Sequence, residues 1–549
     1  MMREENSDKN NSLDMYKSYN VDHLGLVSSM FDELGIGDLI DRAIIQDTNK
    51  RIVSIGQAVK SMVLNGLGFA NKSLYLVSHF FQDKPVEALI GKGIDYSNLN
   101  DDLLGRTLDI IYEYGVSKLY SLIAVTAIKR LDLLCNVGHL DSTSFHLDGD
   151  YSGQSDSDIN VIHITKGYSR DHRPDLNQVV LQLISDNKSG IPLLMEVLSG
   201  NNSDKTSFRL TIENHISNLK KDFGLEYIVS DSAMYTSDTL KELNYFYWIS
   251  RVPETINIAK ELIQRTSNNL NENQEEMSYC SIGVIYAGIK QRWLIISSKS
   301  SYDRALKTFN KNTFKQTQLD YDNFNKLCSI EFYCEKDAEK AFKEFEIKIK
   351  QTVVNERVIV KIPCYESSGR PSKNTNPEKY IYKIRGNIAS ITTNRHLKVK
   401  EKSCFIVATN QLEQDILSDI EVIKKYKEQQ KVERGFRFMK DPMFMASTLY
   451  LKSPKRIMAL MMILTVCLMV YSALEYRIRK ELKEKNETFP DQKNTPIQNP
   501  SCRWVFQFFK GIHLLVIGKN NNIFLNINQN HRELLKLLGS NYESFYSTS

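Results

Sequence analysis

The spacing of apolar residues changes along this chain, and the changes divide it. Residues 1 to 20, MMREENSDKNNSLDMYKSYN, hold no apolar run, which predicts a disordered polar tail and no signal peptide. From 21 to 134 the apolar residues recur at helical spacing, as in LGLVSSMFDELGIGDLIDRAI and LGRTLDIIYEYGVSKLYSLIAVTAIKRL. An all-α domain follows from that pattern. Within it, SIGQAVKSMVLNGLG has the length of half a helix-turn-helix, a pattern shared with any α-bundle.

At Cys135 the period shortens. VGHLDSTSFHL, NQVVLQLISD, IPLLMEVLSG, EYIVSDSA and YFYWISRVP read as strands, with the helical DKTSFRLTIENHISNLKKDFG between the third and fourth. The turn formers DNKSG suit a hairpin between the second and third. Residues 135–253 therefore predict the first part of an α/β core, a mixed sheet with flanking helices. Residues 254–400 follow a different pattern, in which strands such as VIYAGIKQRWLIISS and YIYKIRGNIASI surround one charged helix, CEKDAEKAFKEFEIKIKQ. They read as an inserted, β-rich α+β domain. Over 401–482 the core resumes with the strand CFIVATN, the helix YKEQQKVERGFRFMK and a long apolar helix. A C-terminal region, 483–549, follows the linker NETFPDQKNTPIQNP and ends in the helix HRELLKLLG.

Composition narrows the classes without naming one. A chain of 549 residues exceeds a single core. Its net charge of +5 permits nucleic-acid binding through local patches but does not argue for it. The eight cysteines lack C-x-x-C spacing, so neither a zinc site nor a disulfide framework is expected, and reduced thiols in a cytoplasmic protein are. IMALMMILTVCLMVYSAL, 457–474, has the minimum length of a membrane span and cationic flanks. A single such segment without a signal sequence reads as a helix buried on all sides, and no membrane partner is expected. Trp248 and Trp293 read as core residues.

The candidate chemistry lies in carboxylates. On one helix, Tyr426, Gln429, Glu433, Arg437 and Lys440 would share a narrow arc. Glu433 and Lys440 are two turns apart, so local pairing does not explain that arc. Asp141 follows the apolar VGHL and Asp231 follows EYIVS, both at or near strand ends. Either alone is an ordinary turn residue. Two in one sheet, with a glutamate from a facing helix, form an all-oxygen set of the kind Mg²⁺ or Mn²⁺ prefers.

These residues carry a resemblance. The chain resembles bacterial insertion-sequence transposases of the DDE type, in the superfamily whose third carboxylate lies in Y-x2-R-x3-E-x6-K, the insertion-sequence-four superfamily. Tyr426, Gln429, Glu433 and Lys440 fall at the four positions, with Gln429 in place of the arginine. LDSTSFHL, GYSRDHRPDLNQ, LSGNNSDKTSF, VSDSAMY, SRVP, SGRPSK, FIVATN and LKSPKRIMAL look like the insertion-sequence sixteen-thirty-four family. The resemblance implies an RNase H-like core, with Asp141, Asp231 and Glu433 holding two Mg²⁺ ions, for which Mn²⁺ could substitute. It implies cleavage at element ends and strand transfer into target DNA by a homodimer or larger multimer, acting at the nucleoid. Tyr426, Gln429, Arg437 and Lys440 are then expected at DNA. Arg437, on the same arc, either supplies the cation missing at Gln429 or leaves one fewer phosphate contact. Arg170 and Arg173 of the RDHRPD segment are candidates for DNA contact as well. The helical N-terminal domain is expected to recognise the terminal inverted repeats, and the apolar helix to pack beside the catalytic one. The interval of about 200 residues between Asp231 and Glu433 is where related enzymes carry a β-rich insertion. The other readings are a metal-dependent nuclease that does not join strands, and a non-catalytic DNA-binding descendant.

Overall fold

A computed structural model describes residues 16–46, 51–69, 76–149, 151, 161–169, 173–270, 277–366, 376–391, 395–441, 451–518 and 521–547. Two compact units emerge: residues 1–251, 285–291 and 409–549 form one, and 252–284 with 292–408 form the other.

The first unit holds a mixed sheet. Its strands run in the order Pro192–Ser199, Asn177–Asp186, Val137–Leu147, Tyr227–Ser230 and Tyr247–Arg251. The first three are antiparallel neighbours and the last three are parallel ones. All but one residue of Val137–Leu147 is buried, as expected of a strand covered on both faces, which is why its sequence shows little alternation. Asn410 of the FIVATN motif secures the Tyr247–Arg251 strand: its side chain accepts from the Trp248 amide at 3.0 Å and donates to the Phe246 carbonyl at 2.9 Å.

The apolar helix spans Pro454–Glu484 and starts with its proline in the first turn, where the missing N–H costs nothing. It is buried over 89% of its apolar stretch. It packs against helices Leu24–Glu33, Ile55–Leu67, Asp101–Tyr114 and Gln430–Met439, so it is a core hub beside the helix carrying Glu433. The flanking cations have protein partners: Arg456 makes a two-pronged pair with Asp109 at 2.8 and 2.7 Å, and Arg479 pairs with Glu475 at 2.8 Å. Trp248 and Trp293 are fully buried, as their sequence context suggests.

Three sequence expectations are corrected. Residues 16–20 of the expected disordered tail form a strand paired antiparallel with His513–Ile517, and residues 1–15 lie outside the described residues. The partner strand is almost 500 residues away, so no local pattern reveals the pairing. In the second unit, a 31-residue helix, Lys299–Ser329, occupies sequence that reads as polar connector. Only Asp320 and Phe324 of it are buried, too few to leave an apolar period. It packs on a small core of Phe324, Ala338, Phe342 and Ile384, under the antiparallel pair Thr352–Cys364 and Lys379–Ser390. The half helix-turn-helix is the third: Ile55–Leu67 is buried at every position but Gln57, so no face of it is left to enter a DNA groove.

The N-terminal helices are closed by the C-terminal region. Tyr542 donates to Glu33 at 2.6 Å and Tyr546 to the Asp22 carbonyl at 2.7 Å. His23 donates from Nε2 to the Leu67 carbonyl at 2.8 Å and stacks on Phe506 with ring centroids 4.1 Å apart. Burial lowers its pKa from 6.5 to about 4, against a weaker upward pull from the Leu67 bond and Asp22. The folded pKa lies below the unfolded one, so this stability is complete above pH 6.5 and is lost as pH falls toward 4. The expected loss is about 3 kcal/mol, from roughly 1.4 kcal/mol per pKa unit. Urea unfolding at pH 7 and pH 4.5 should show a steeper decline for wild type than for His23→Gln. Equal declines would mean that His23 does not link protonation to folding.

Candidate active site

The sheet register brings the two sequence-predicted aspartates together. Leu140 pairs with Ser230 at the end of the parallel ladder, so Asp141 and Asp231 each stand one residue beyond it on neighbouring strands. Strand spacing sets their Cα atoms roughly 5 Å apart. Asp141 is not at a strand end, because its strand runs on to Leu147 paired only with Asn177–Asp186. What ends there is the parallel ladder, and the site opens where it stops. Asp141 is 5% exposed and Asp231 is half-buried.

Local bonds aim both carboxylates. Asp141 accepts the Ser142 amide at 2.8 Å and Asp231 accepts the Ala233 amide at 2.9 Å. Ser142 turns its hydroxyl the other way, to Asp204 at 2.6 Å. There a cavity of about 400 Å³ is lined by Ser142, Ser144, Tyr168, Asn202, Asp204 and Ala233. Two residues before Asp141, His139 is fully buried with neither ring nitrogen hydrogen-bonded among the described residues. Burial, then Lys431 and Lys425, lowers its pKa to about 3, so it is a neutral residue of the site's floor. The sequence gives no sign of it beyond a histidine inside an apolar run.

The stretch Tyr426–Lys440 is two helices, not the single helix its residues predict: Asp419–Lys427 and Gln430–Met439. At the junction the amides of Gln429, Lys431 and Val432 bond three residues back. Asn187 of the DNKSG hairpin clamps both sides, donating to Glu428 at 2.6 Å and accepting from Lys431 Nζ at 2.5 Å. The tightening separates the expected arc. Gln429 is buried at 8% exposure, while Glu433 and Arg437 are exposed.

Gln430–Met439 lies between the strand Val137–Leu147 and the apolar helix, with Gly435 against Leu468. Lys440 at its end sits 5.8 Å from the ring of Phe145, four residues along the strand from Asp141. Tyr426 ties the groups together electrostatically. Burial raises its phenol pKa, the Arg251 guanidinium donates to it and opposes that rise, and Asp231 and Glu433 add to the rise. The charges of Arg251, Asp231 and Glu433 are therefore all felt at one phenol. Arg251 escaped the sequence reading, although SRVP places it after its strand much as VSDSA places Asp231.

Arg173 is exposed and paired with Asp175 at 2.9 Å. Arg170 lies outside the described residues. Among the described residues no three His, Cys, Asp or Glu side chains are gathered closely enough to form a metal cage. The donor chemistry still suits a hard divalent ion, since Asp141 and Asp231 are adjacent and Glu433 is carried on the helix packed against the Asp141 strand.

No curated protein matches the chain. Among solved structures, it is similar to a piggyBac transposase synaptic complex with hairpin DNA, at 10% identity and a TM-score of 0.33, over 87% of this chain and 70% of that one. Residues 16–125 match a domain of unknown function, DUF4277. Residues 136–470, more than half of the chain, match the transposase DDE domain, and the chain belongs to that family of transposases.

Proposed function

We propose that this transposase cuts DNA at the ends of an insertion sequence and joins the freed 3′ ends to target DNA, through Asp141, Asp231 and Glu433 on an RNase H-like core. The observation that carries the reading is the register that sets Asp141 beside Asp231, within a matched DDE domain and under the helix bearing Glu433. The insertion-sequence-four superfamily, and within it the sixteen-thirty-four family, remains the best reading of the motifs.

The three carboxylates would hold two Mg²⁺ ions, or Mn²⁺, whose Lewis acidity at the phosphodiester is the chemistry such ions supply when bound. The chain's own residues aim and enclose. The Ser142 and Ala233 amides fix the two aspartates before DNA arrives, so little reorganisation is left to the reaction. Tyr426, Arg437 and Lys440 border the cut strand as contacts to phosphate. The second unit carries a larger excess of Lys and Arg over Asp and Glu than the +5 of the whole chain, which favours its lying along DNA. Two ends must meet, so the working form is a homodimer or larger multimer, and its place is the nucleoid. End recognition falls to the helical N-terminal domain, through elements other than the buried Ile55–Leu67.

Incubating the protein with Mg²⁺, DNA bearing the gene's natural flanks, and a target plasmid separates the readings. Joined products are expected. Hydrolysis without joining would leave a nuclease, and binding without either would leave the non-catalytic descendant.

A further inference from the structure

The helix that carries Glu433, Gln430–Met439, is poorly equipped to hold its own place. It is 10 residues long, short of the length at which an isolated helix is stable, and its N-cap residue, Gln429, makes no side-chain capping bond. The tightened bonds at the junction separate it from Asp419–Lys427, so the two do not move as one rod. Val432, Phe436 and Met439 bury its apolar face, but apolar contact is non-directional and tolerates small shifts. A carboxylate that must act together with two others needs a tighter constraint.

We propose that Asn187 is that constraint, a positioning residue that braces the Glu433 helix against the strand bearing Asp141. This rests on the transposase reading above. Three hydrogen bonds join this one residue to three places. Its amide donates to the Val137 carbonyl at 3.0 Å, at the start of the strand on which Asp141 stands four residues later. Its side chain donates to Glu428 at 2.6 Å, on the near side of the junction. Its carbonyl accepts from Lys431 Nζ at 2.5 Å, two residues before Glu433. The path from Asp141 to Glu433 through Asn187 therefore crosses only sheet, one turn residue, one lysine side chain and half a turn of helix.

The turn is stiff. The Asp186 carboxylate accepts the amides of Lys188 at 3.0 Å and Ser189 at 2.7 Å, with the Ser189 hydroxyl at 2.7 Å. The Gly190 amide closes onto the Asp186 carbonyl at 2.9 Å. Asn187 itself is buried, so water competes little for its bonds. It acts through Glu428 and Lys431, with no contact to DNA of its own.

The test is single-turnover cleavage by the full chain at saturating Mg²⁺ and natural flanking DNA, well below the melting temperature. Hydrogen exchange of Gln430–Met439 is a second readout that needs neither metal nor DNA. Asn187→Asp sets a carboxylate against Glu428. It is expected to slow cleavage about tenfold to a hundredfold, the scale of a misplacement of about 1 Å, with end binding kept and exchange across the helix faster. Adding Glu428→Gln gives that carboxylate an amide to accept from, which restores the bond with its direction reversed. The double variant should regain most of the rate and of the protection. A packing defect would not be repaired this way, because glutamine and glutamate fill the same space. Glu428→Ala breaks the same bond from a half-exposed position and should slow cleavage too, so the test stands if Asn187→Asp does not fold. Cleavage at the wild-type rate by folded Asn187→Asp or by Glu428→Ala would overturn the brace. So would a double variant no faster than Asn187→Asp. No Glu433-dependent cleavage by wild type would overturn the transposase reading instead, and exchange would then decide the brace.

Discussion

Glu433→Gln is expected to abolish cleavage at the element ends while leaving the protein folded and DNA-bound. The side chain is exposed on its helix, and its amide keeps the i−4 bond to Gln429 at 3.3 Å. Its replacement removes a charge from the site and little from the core. Lost activity therefore reports chemistry rather than folding, which is seldom so clean for a buried carboxylate. Asp231→Asn and Asp141→Asn should reach the same end point. Asparagine keeps the Oδ1 that accepts the Ala233 or Ser142 amide, so the turn geometry survives and only the anionic donor goes. Losing one hard ligand should cost on the order of a thousandfold in cleavage rate, several kcal/mol of transition-state stabilisation. Excision of a marked element in cells, scored beside DNA binding in vitro, checks it. If Glu433→Gln excises as well as wild type, Glu433 is a surface residue and the assignment fails.

That the sequence singled out Asp141 and Asp231 as candidates, and not Arg251, has a physical cause. Asp141 and Asp231 each interrupt an apolar run, and a carboxylate there is costly unless it has work to do. Arg251 also follows an apolar run, but a cation before Val-Pro looks like the start of a loop. Only the register beside Asp231 marks it out. The core strands were legible because their apolar runs are bounded by turn residues such as DNKSG. The 31-residue helix of the second unit was not, since only Asp320 and Phe324 of it are buried. The break between Lys427 and Gln430 was hidden for another reason. Helix propensity is continuous through KEQQK, and the residue that clamps the junction, Asn187, is some 240 positions earlier. Patterns local to a segment showed its period. Contacts from distant segments decided where it bent and what it faced.

Gly200→Ala should be the most destabilising single-methyl change near the site. The segment 161–169 is stitched onto two strands there. Gln178 donates through its amide to Thr165 at 3.0 Å and through its side chain to the carbonyls of Gly200 at 2.7 Å and Tyr168 at 3.1 Å. Gly200 donates to the His163 carbonyl at 3.0 Å, and Ser169 bonds His146 at 3.2 Å. A Cβ on Gly200 would run into the carbonyl oxygens of Gln178 and Thr165, and one on Gly167 into that of Gly200. These are backbone atoms in paired segments and cannot swing aside as a side chain would. The expected cost is at least about 3 kcal/mol, the upper range for overpacking, because relief requires breaking the stitch. The effect should reach the chemistry too, because Asn201 to Asp204 follow directly and Asp204 holds the Ser142 hydroxyl beside Asp141. Gly200→Ala should therefore melt well below wild type, and what folds should cleave more slowly than its DNA binding explains. Gly93→Ala is the control, since a Cβ there meets nothing within 4 Å and its left-handed backbone adds only local strain. If Gly200→Ala melts no lower than Gly93→Ala, the two motifs are not stitched as described, and the placement of Asp204 against Ser142 falls with them.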